Sequence, residues 1–546
     1  MNLNRHSDGA RWGWLPAAVV IILAVVLVFG QTVNYQFLHW DDNVNVWQNA
    51  RLNPVSPGNV LYFWGHSYAR MYAPLSYTFF AAEALISPRG ETPPGLPFGP
   101  LQPTVFHIGS LALHGGCCLL VLLILRRLIR QEVAALAGAL LFALHPLQVE
   151  SVAWITETRG LLAAFFGLAA IWQYLQYNDE AIDDSRRRLM HYLLASLALL
   201  LALLSKPTAV AIPLIVLVID WGFCRRPLRQ VVAALAPWVV FALLFSIGTA
   251  MVQPVTSIET APLWARPLLA LDALSHYLVK LLLPFRLGPD YGHSPSVAMQ
   301  KELWYAMGVV PLGLAFLAWS LPNRRVWLTA LGVFAVALLP MSGLISFDFQ
   351  RISTVADRYV YLAMLGPAMA LAWFLVRHGS VSRYAMVAVA LILYGVASYQ
   401  QTGHWATDLR LAYQALRVNN QSFTFQLAAG NAWYRADEFE NAIMHYNHAR
   451  EIHEESLMPL YNMARAKFQQ GNMAGAVENI EAVIKSQPNY ARGDAYVLLG
   501  QALMRSGKYA DARAAFETVL NNKKSSERAL DGALNGLAKL DALQRP

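Results

Sequence analysis

The chain has 546 residues, 56% of them hydrophobic and 14% charged, with positive mean hydropathy. It is too long for one ordinary domain and too apolar to be water-soluble throughout. The formal charge of +8 does not call for a nucleic-acid partner, because the basic residues form short clusters between apolar runs, the pattern that orients membrane proteins.

The apolar runs stop near Trp405, which divides the chain into a membrane domain, 1–404, and a water-soluble domain, 405–546. Arg5 and Arg11 precede a first apolar run, Trp14 to Gly30. No small-x-small cleavage site follows it, so it predicts an uncleaved signal-anchor helix. A crossing needs roughly 20 helical residues. Candidate spans are 14–32, 104–125, 132–147, 160–177, 190–205, 208–223, 231–251, 302–321, 326–344, 359–376 and 384–401. Stretch 265–284 is left out, because Asp272, Ser275, His276 and Lys280 fall on one helical face, as in a helix lying in the membrane interface. Eleven spans put the N-terminus in the cytoplasm and the C-terminus outside. They also put Arg126-Arg127-Arg130, Arg186-Arg187-Arg188, Arg225-Arg226-Arg229, Arg324-Arg325 and Arg377-Arg383 on the cytoplasmic side. Cys117 and Cys118 lie within an apolar run and Cys224 beside Arg225, so the three cysteines read as structural and make no disulfide framework.

Four segments then face outward: the first loop 33–103, Glu150–Arg159, 252–301 and Phe347–Arg358. The first opens with His39-Trp40-Asp41-Asp42-Asn43. Two carboxylates so near hydrocarbon are costly unless solvated or used. One of them could take a proton from an acceptor hydroxyl as general base, or the two could hold a divalent cation; a solvated helix cap is the bland alternative. His145, Glu150, Glu157 and Arg159 lie at the end of the third span and the start of the fourth. Lys206 lies between the fifth and sixth, and Arg351, Asp357 and Arg358 before the tenth. Cations at that level suit the phosphate of a lipid carrier. His107 and His114 share a face of the second span, and packing explains His114 as well as function does.

The tail repeats with a period near 34 residues. Ala442, Ala476 and Ala512 mark a small packing position, and Tyr446, Ile480 and Phe516 fill the large slot one turn later. Gly430 and Gly500 sit at the small position of the first helix, Gly471 and Gly507 in turns. The pattern resembles tetratricopeptide repeats over 422–526, with a leading helix 405–420 and a cap 527–546. Such an array presents a concave surface that usually takes a peptide or protein segment; bracing the membrane domain is the alternative.

The run Trp40-Asp41-Asp42, then Tyr72-Ala73-Pro74-Leu75-Ser76, Phe106-His107 with His114, Leu144-His145-Pro146, Val149-Glu150-Ser151-Val152-Ala153-Trp154 with Glu157, Lys206-Pro207 and Ala356-Asp357-Arg358-Tyr359-Val360-Tyr361 resembles the TMTC-like membrane glycosyltransferases with tetratricopeptide repeats. These belong to the GT-C class, together with protein O-mannosyltransferases. The resemblance implies an all-α fold, a polytopic GT-C-like bundle followed by an α-solenoid. It also implies a polyprenyl- or dolichyl-phosphate sugar as donor and inverting transfer to a protein hydroxyl on the outer side. The catalytic acid maps onto Asp41 or Asp42. His107, His145, Glu150, Glu157, Arg159, Lys206, Arg351, Asp357 and Arg358 form the supporting shell and donor-phosphate contacts. Ala73 stands where the family often has Arg, a gap that Arg70 could fill, and Arg159-Gly160 lacks the acid that commonly follows the basic residue.

The expected partners are a lipid-linked sugar, a protein acceptor held by the repeats and the membrane, with no nucleic acid. The expected place is a bacterial inner membrane with the repeats in the periplasm. A non-enzymatic scaffold for an envelope complex explains the repeats but not the ionisable residues gathered at one end of the bundle. A GT-C enzyme acting on a lipid or glycan is the third reading.

Overall fold

The computed structural model describes residues 14–91, 99–179, 184–252, 261–300 and 304–544, so Arg5 and Arg11 lie outside the described residues. The chain forms two compact units, Met1–Thr407 and Asp408–Pro546. Both are all-helical among the described residues, with three isolated β-bridges and no strand.

In the first unit eight helices are long and apolar enough to cross a membrane: Leu15–Asn34, Pro103–Ile129, Ile155–Tyr177, Ser185–Ser205, Pro207–Cys224, Leu228–Thr249, Arg324–Met341 and Val381–Trp405. A ninth forms if Glu132–Leu144 and Pro146–Ala153, bent by 50°, are one broken span. The bend has a local cause. Pro146 has no N–H for the helix ladder, and the extended His145 before it caps the new turn, its Nδ1 accepting from Leu147 N at 3.2 Å.

Two predicted spans are shorter than full crossings. The apolar helix Ala306–Ser320 and the 14-residue helix Leu365–His378 each reach only about 20 Å at 1.5 Å per residue, short of roughly 30 Å of hydrocarbon. The second starts late because Asp357–Val360 form a 3₁₀ turn instead of its first helical turn. Proline opens many of these helices (Pro57, Pro74, Pro103, Pro207), where its missing N–H costs nothing.

Helix Arg266–Leu282 is not among the crossing candidates, and its polar stripe is turned into the protein. Asp272 is buried against His293 Nε2, and Ser275 Oγ donates to Leu271 O at 2.9 Å and Met307 O at 2.5 Å. Lys280 Nζ donates to Phe285 O at 2.5 Å. Its flanks expose Leu263, Trp264, Leu282, Leu283 and Phe285 instead, the side chains an interfacial helix gives to lipid.

The second unit is three helix pairs: Phe423–Arg435 with Phe439–Ile452, Leu457–Gln469 with Met473–Ser486, and Asp494–Arg505 with Tyr509–Asn521. Helix Asp408–Val418 precedes them and Glu527–Leu543 follows. Ala442, Ala476 and Ala512 are fully buried, as are Tyr446, Ile480 and Phe516, and the Tyr446 and Phe516 rings pack on Gly430 and Gly500 within their pairs. Gly471 and Gly507 hold the left-handed turn conformation, φ +88° and +75°. A 3₁₀ turn, Tyr490–Gly493, lengthens the interval from Ala476 to Ala512.

At Gly500 a Cβ would meet the Phe516 ring at 2.5 Å, as one at Gly430 would meet Tyr446. Gly500→Val therefore overpacks the third pair, and the repeat unit is expected to lose about 1–3 kcal/mol. Limited proteolysis of the full chain, with cleavage mapped to the second unit, measures the loss.

Candidate active site

The site is built around a turn that sends two neighbouring carboxylates in opposite directions. Asp41 adopts φ +68°, a conformation that Asp tolerates better than most residues. Its carbonyl accepts from Asn45 N and Asn45 Nδ2, both at 2.9 Å, which holds the turn. Asp41 is exposed, and its carboxylate takes no hydrogen bond or ion pair among the described residues.

Asp42 is 1% exposed. Its Oδ2 accepts from Leu38 N at 2.9 Å, and its Oδ1 accepts from Thr156 N at 2.9 Å and Thr156 Oγ1 at 2.6 Å. The first outward loop is thus clasped to the 145–157 segment, and Trp154 Nε1 donating to Trp40 O at 2.7 Å reinforces the clasp. Burial pushes the Asp42 carboxyl up to about 7, against the lowering effect of the Thr156 and Leu38 donors. Both Asp42 oxygens accept hydrogen bonds from these donors. Among the described residues no group of three or more His, Cys, Asp or Glu side chains gathers as a metal site.

Beside the clasp lies a buried set of charges. Glu150 is bound twice by Arg358, through Nη1 to Oε1 at 2.5 Å and through the backbone N to Oε2 at 3.0 Å. The Arg358 guanidinium also lies over the rings of Phe349 (4.2 Å), Tyr359 (4.8 Å) and Trp154 (5.5 Å). Lys206 Nζ donates to both Glu157 oxygens, at 2.8 and 2.7 Å. Arg159 differs. Its Nε donates to Thr156 O at 3.1 Å and its Nη1 reaches Asn45 Oδ1 at 3.4 Å. Among the described residues no carboxylate pairs with it, although it is only 7% exposed. The set holds three cations and two carboxylates, and the unbalanced charge sits on Arg159, next to the Asp41 turn.

The structure thus brings together Asp41, Asp42, Glu150, Glu157, Arg159, Lys206 and Arg358. Asp357 also lies beside this set, near Glu150, and the remaining predicted site residues stand apart. Arg351 is half-exposed and pairs with Asp348 at 2.8 Å; Arg70 approaches the same carboxylate at 3.9 Å, while Ala73 is buried at the start of helix Pro74–Ile86. Asp357 accepts from Tyr291 OH at 2.6 Å, and burial with Glu150 nearby holds its carboxyl well above the usual range. His145 is spent on its cap and on Leu281 O at 3.0 Å. His107 packs its ring edge-on to Tyr35, and His114 lies against Tyr361 OH at 2.7 Å.

Sequence reasoning passed over Thr156, Asn45, Tyr77 and Tyr291. Tyr77 OH donates to Asn45 Oδ1 at 2.7 Å, which orients the amide that meets Arg159. Asn45 was findable, one helical turn from Asp41. Thr156 lies inside the Glu150–Arg159 stretch, but nothing local marks it as the partner of a residue 114 positions earlier.

The second unit matches the tetratricopeptide-repeat family model over residues 461–527. The chain is similar to protein O-mannosyl-transferase Tmtc3 of Drosophila melanogaster, 24% identical over 78% of this chain and 54% of that protein. It is also similar to TMTC3 of Mus musculus, 21% identical over 82% of this chain and 52% of the relative, and to human TMTC3, 21% identical over 78% and 50%. The chain spans about half the length of these relatives, and the similarity to TMTC proteins bears out the resemblance carried by its motifs. Among solved structures, the apo oligosaccharyltransferase of Archaeoglobus fulgidus aligns with a TM-score of 0.41 and 14% identity, over 73% of this chain and 57% of that one.

Removing Arg358 leaves Glu150 buried and uncompensated, so Arg358→Ala is expected to cost about 3–5 kcal/mol. The check is the melting temperature of the detergent-solubilised chain. A pH series tests the clasp. Folding raises the Asp42 pKa from its ordinary 3.8 to about 7, so the folded chain binds this proton more tightly. That stabilisation is full at low pH and is lost as pH rises from about 4 to 7. Asp42→Asn cannot titrate, so the unaltered chain should lose melting temperature relative to this variant across that window.

Proposed function

We propose that the chain is a membrane glycosyltransferase that moves a sugar from a polyprenyl-phosphate carrier to a hydroxyl of a protein acceptor. The observation that carries the reading is an exposed Asp41 carboxylate beside a buried Arg159, both held by Asn45 and neither with an ion-pair partner among the described residues. A free carboxylate can accept a proton, and an uncompensated buried cation suits a phosphate oxygen. The names of the TMTC relatives support the same chemistry.

In this reading Asp41 removes the proton of the acceptor hydroxyl as its oxygen attacks the anomeric carbon. The bond from that carbon to the carrier phosphate breaks, the phosphate leaves with the electron pair, and the configuration at carbon inverts. Arg159 stabilises the charge that develops on the leaving phosphate. Asp42 is a positioning residue that fixes the turn by its bonds to Thr156. Glu157 and Glu150 hold Lys206 and Arg358 in place. Eleven spans leave the N-terminus in the cytoplasm and the repeats outside, and the basic clusters agree with that sidedness. In a bacterial inner membrane that side is the periplasm, where the repeats recruit the acceptor.

The test is intact-mass spectrometry of envelope proteins from cells carrying the chain or its variants. Asp41→Asn should lower hexose- or pentose-sized additions by about 10²–10⁴-fold, the usual worth of a general base, with the chain still folded. Asp42→Asn should lower transfer together with thermal stability. Unchanged addition in Asp41→Asn removes the assigned base. Absence of any protein addition, with mass appearing on lipid or glycan, moves the acceptor to that class.

A further inference from the structure

The first helices of the three repeat pairs carry one sign of charge and the second helices the other. Phe423–Arg435, Leu457–Gln469 and Asp494–Arg505 together hold four basic residues and one acid. Phe439–Ile452, Met473–Ser486 and Tyr509–Asn521 hold six acids and three bases. The domain is almost neutral as a whole, so this is a segregation of charge and not an excess.

The first helices also touch one another directly from repeat to repeat. Arg465 lies over the Tyr434 ring at 4.7 Å, and Arg505 over the Phe468 ring at 4.2 Å. Asn462 Nδ2 approaches Asn431 Oδ1 at 3.4 Å, and the same oxygen accepts from Tyr446 OH at 2.8 Å. Helices in direct contact across repeats lie on the side of smaller radius, so these three line the concave face of the array. Arg435 is spent on Asp408 at 2.7 Å, whereas Arg465, Lys467 and Arg505 have no carboxylate partner among the described residues. Each guanidinium rests on an aromatic face, which pre-sets its position at small entropic cost and leaves its N–H edge free for a carboxylate.

We infer that this concave face binds an extended acidic segment of a protein, whose carboxylates meet Arg465 and Arg505 across successive repeats. A lysine-rich segment would meet like charge here, and a neutral one would gain only the aromatic contacts. The identification of that segment as the acceptor rests on the glycosyltransferase reading; the binding itself does not.

The experiment is fluorescence anisotropy on the full chain in uncharged detergent. It uses three labelled twelve-residue peptides of one length, rich in Glu and Gly, in Lys and Gly, or in Ser and Gly, and is run in the Asp41→Asn background so that turnover plays no part. The acidic peptide should bind best, and more weakly as salt rises. The double variant Arg465→Glu/Arg505→Glu should bind it at least about tenfold more weakly, and Arg465→Gln/Arg505→Gln by an intermediate factor with an unchanged melting temperature. Equal binding of the three peptides, or unchanged affinity in the charge-reversed chain, overturns the inference. Acidic binding in a chain that transfers no sugar in any background overturns the transferase reading and leaves this one standing. Sugar transfer that continues without acidic preference does the reverse.

Discussion

An ion cannot stay in a low-dielectric interior without a partner, and the membrane domain is organised around where its partners are found. Glu150 and Arg358 are 208 positions apart in sequence, yet the guanidinium and backbone N of Arg358 both close on the one carboxylate. That contact fixes the broken helix at Pro146 against the 3₁₀ turn at Asp357–Val360. Lys206 with Glu157, and Asp42 with Thr156, repeat the device on either side. Each joins places where a helix ladder is interrupted, because these are where backbone and side chains already have polar groups to satisfy.

Arg159 is the exception that gives the arrangement chemical meaning. Its neighbours offer a carbonyl and an amide, both neutral, where the other buried cations have carboxylates. A site that keeps one cation unbalanced and one solvent-exposed carboxylate on either side of the same asparagine is poorly optimised for stability. It is well arranged for a reaction that creates an anion and gives up a proton to a base. Asp42 shows the complementary case, a carboxylate so fully engaged that its role is to shape the turn carrying Asp41.

The repeat domain obeys different physics. Its stability comes from small-to-large packing, with Gly430 and Gly500 admitting the Tyr446 and Phe516 rings, and each pair depends mainly on its neighbours. Because the packing uses few charges, the charged residues are free to segregate, basic along the first helices and acidic along the second. Stability therefore rests on apolar packing here, whereas in the membrane domain it also rests on buried ion pairs.

Much of this was legible in the sequence. Apolar runs of sufficient length marked most spans, the alanine and glycine spacing marked the three helix pairs, and the one-sided stripe 265–284 marked a helix with a single polar face. These are local or periodic signals, set by residue type at fixed intervals. The helices Ala306–Ser320 and Leu365–His378 are shorter than the apolar runs 302–321 and 359–376, because apolarity continues past the point where the helix ladder breaks. The residues of the site could be named, but not sorted. Asp41 and Asp42 are adjacent and chemically alike, and only the left-handed turn at Asp41 decides which is buried. Arg159 and Arg358 were equal candidates until the fold supplied a carboxylate to one and withheld it from the other. Residue type fixes what a side chain can do; contacts between distant segments fix whether its charge is already satisfied, and only the tertiary structure decides that.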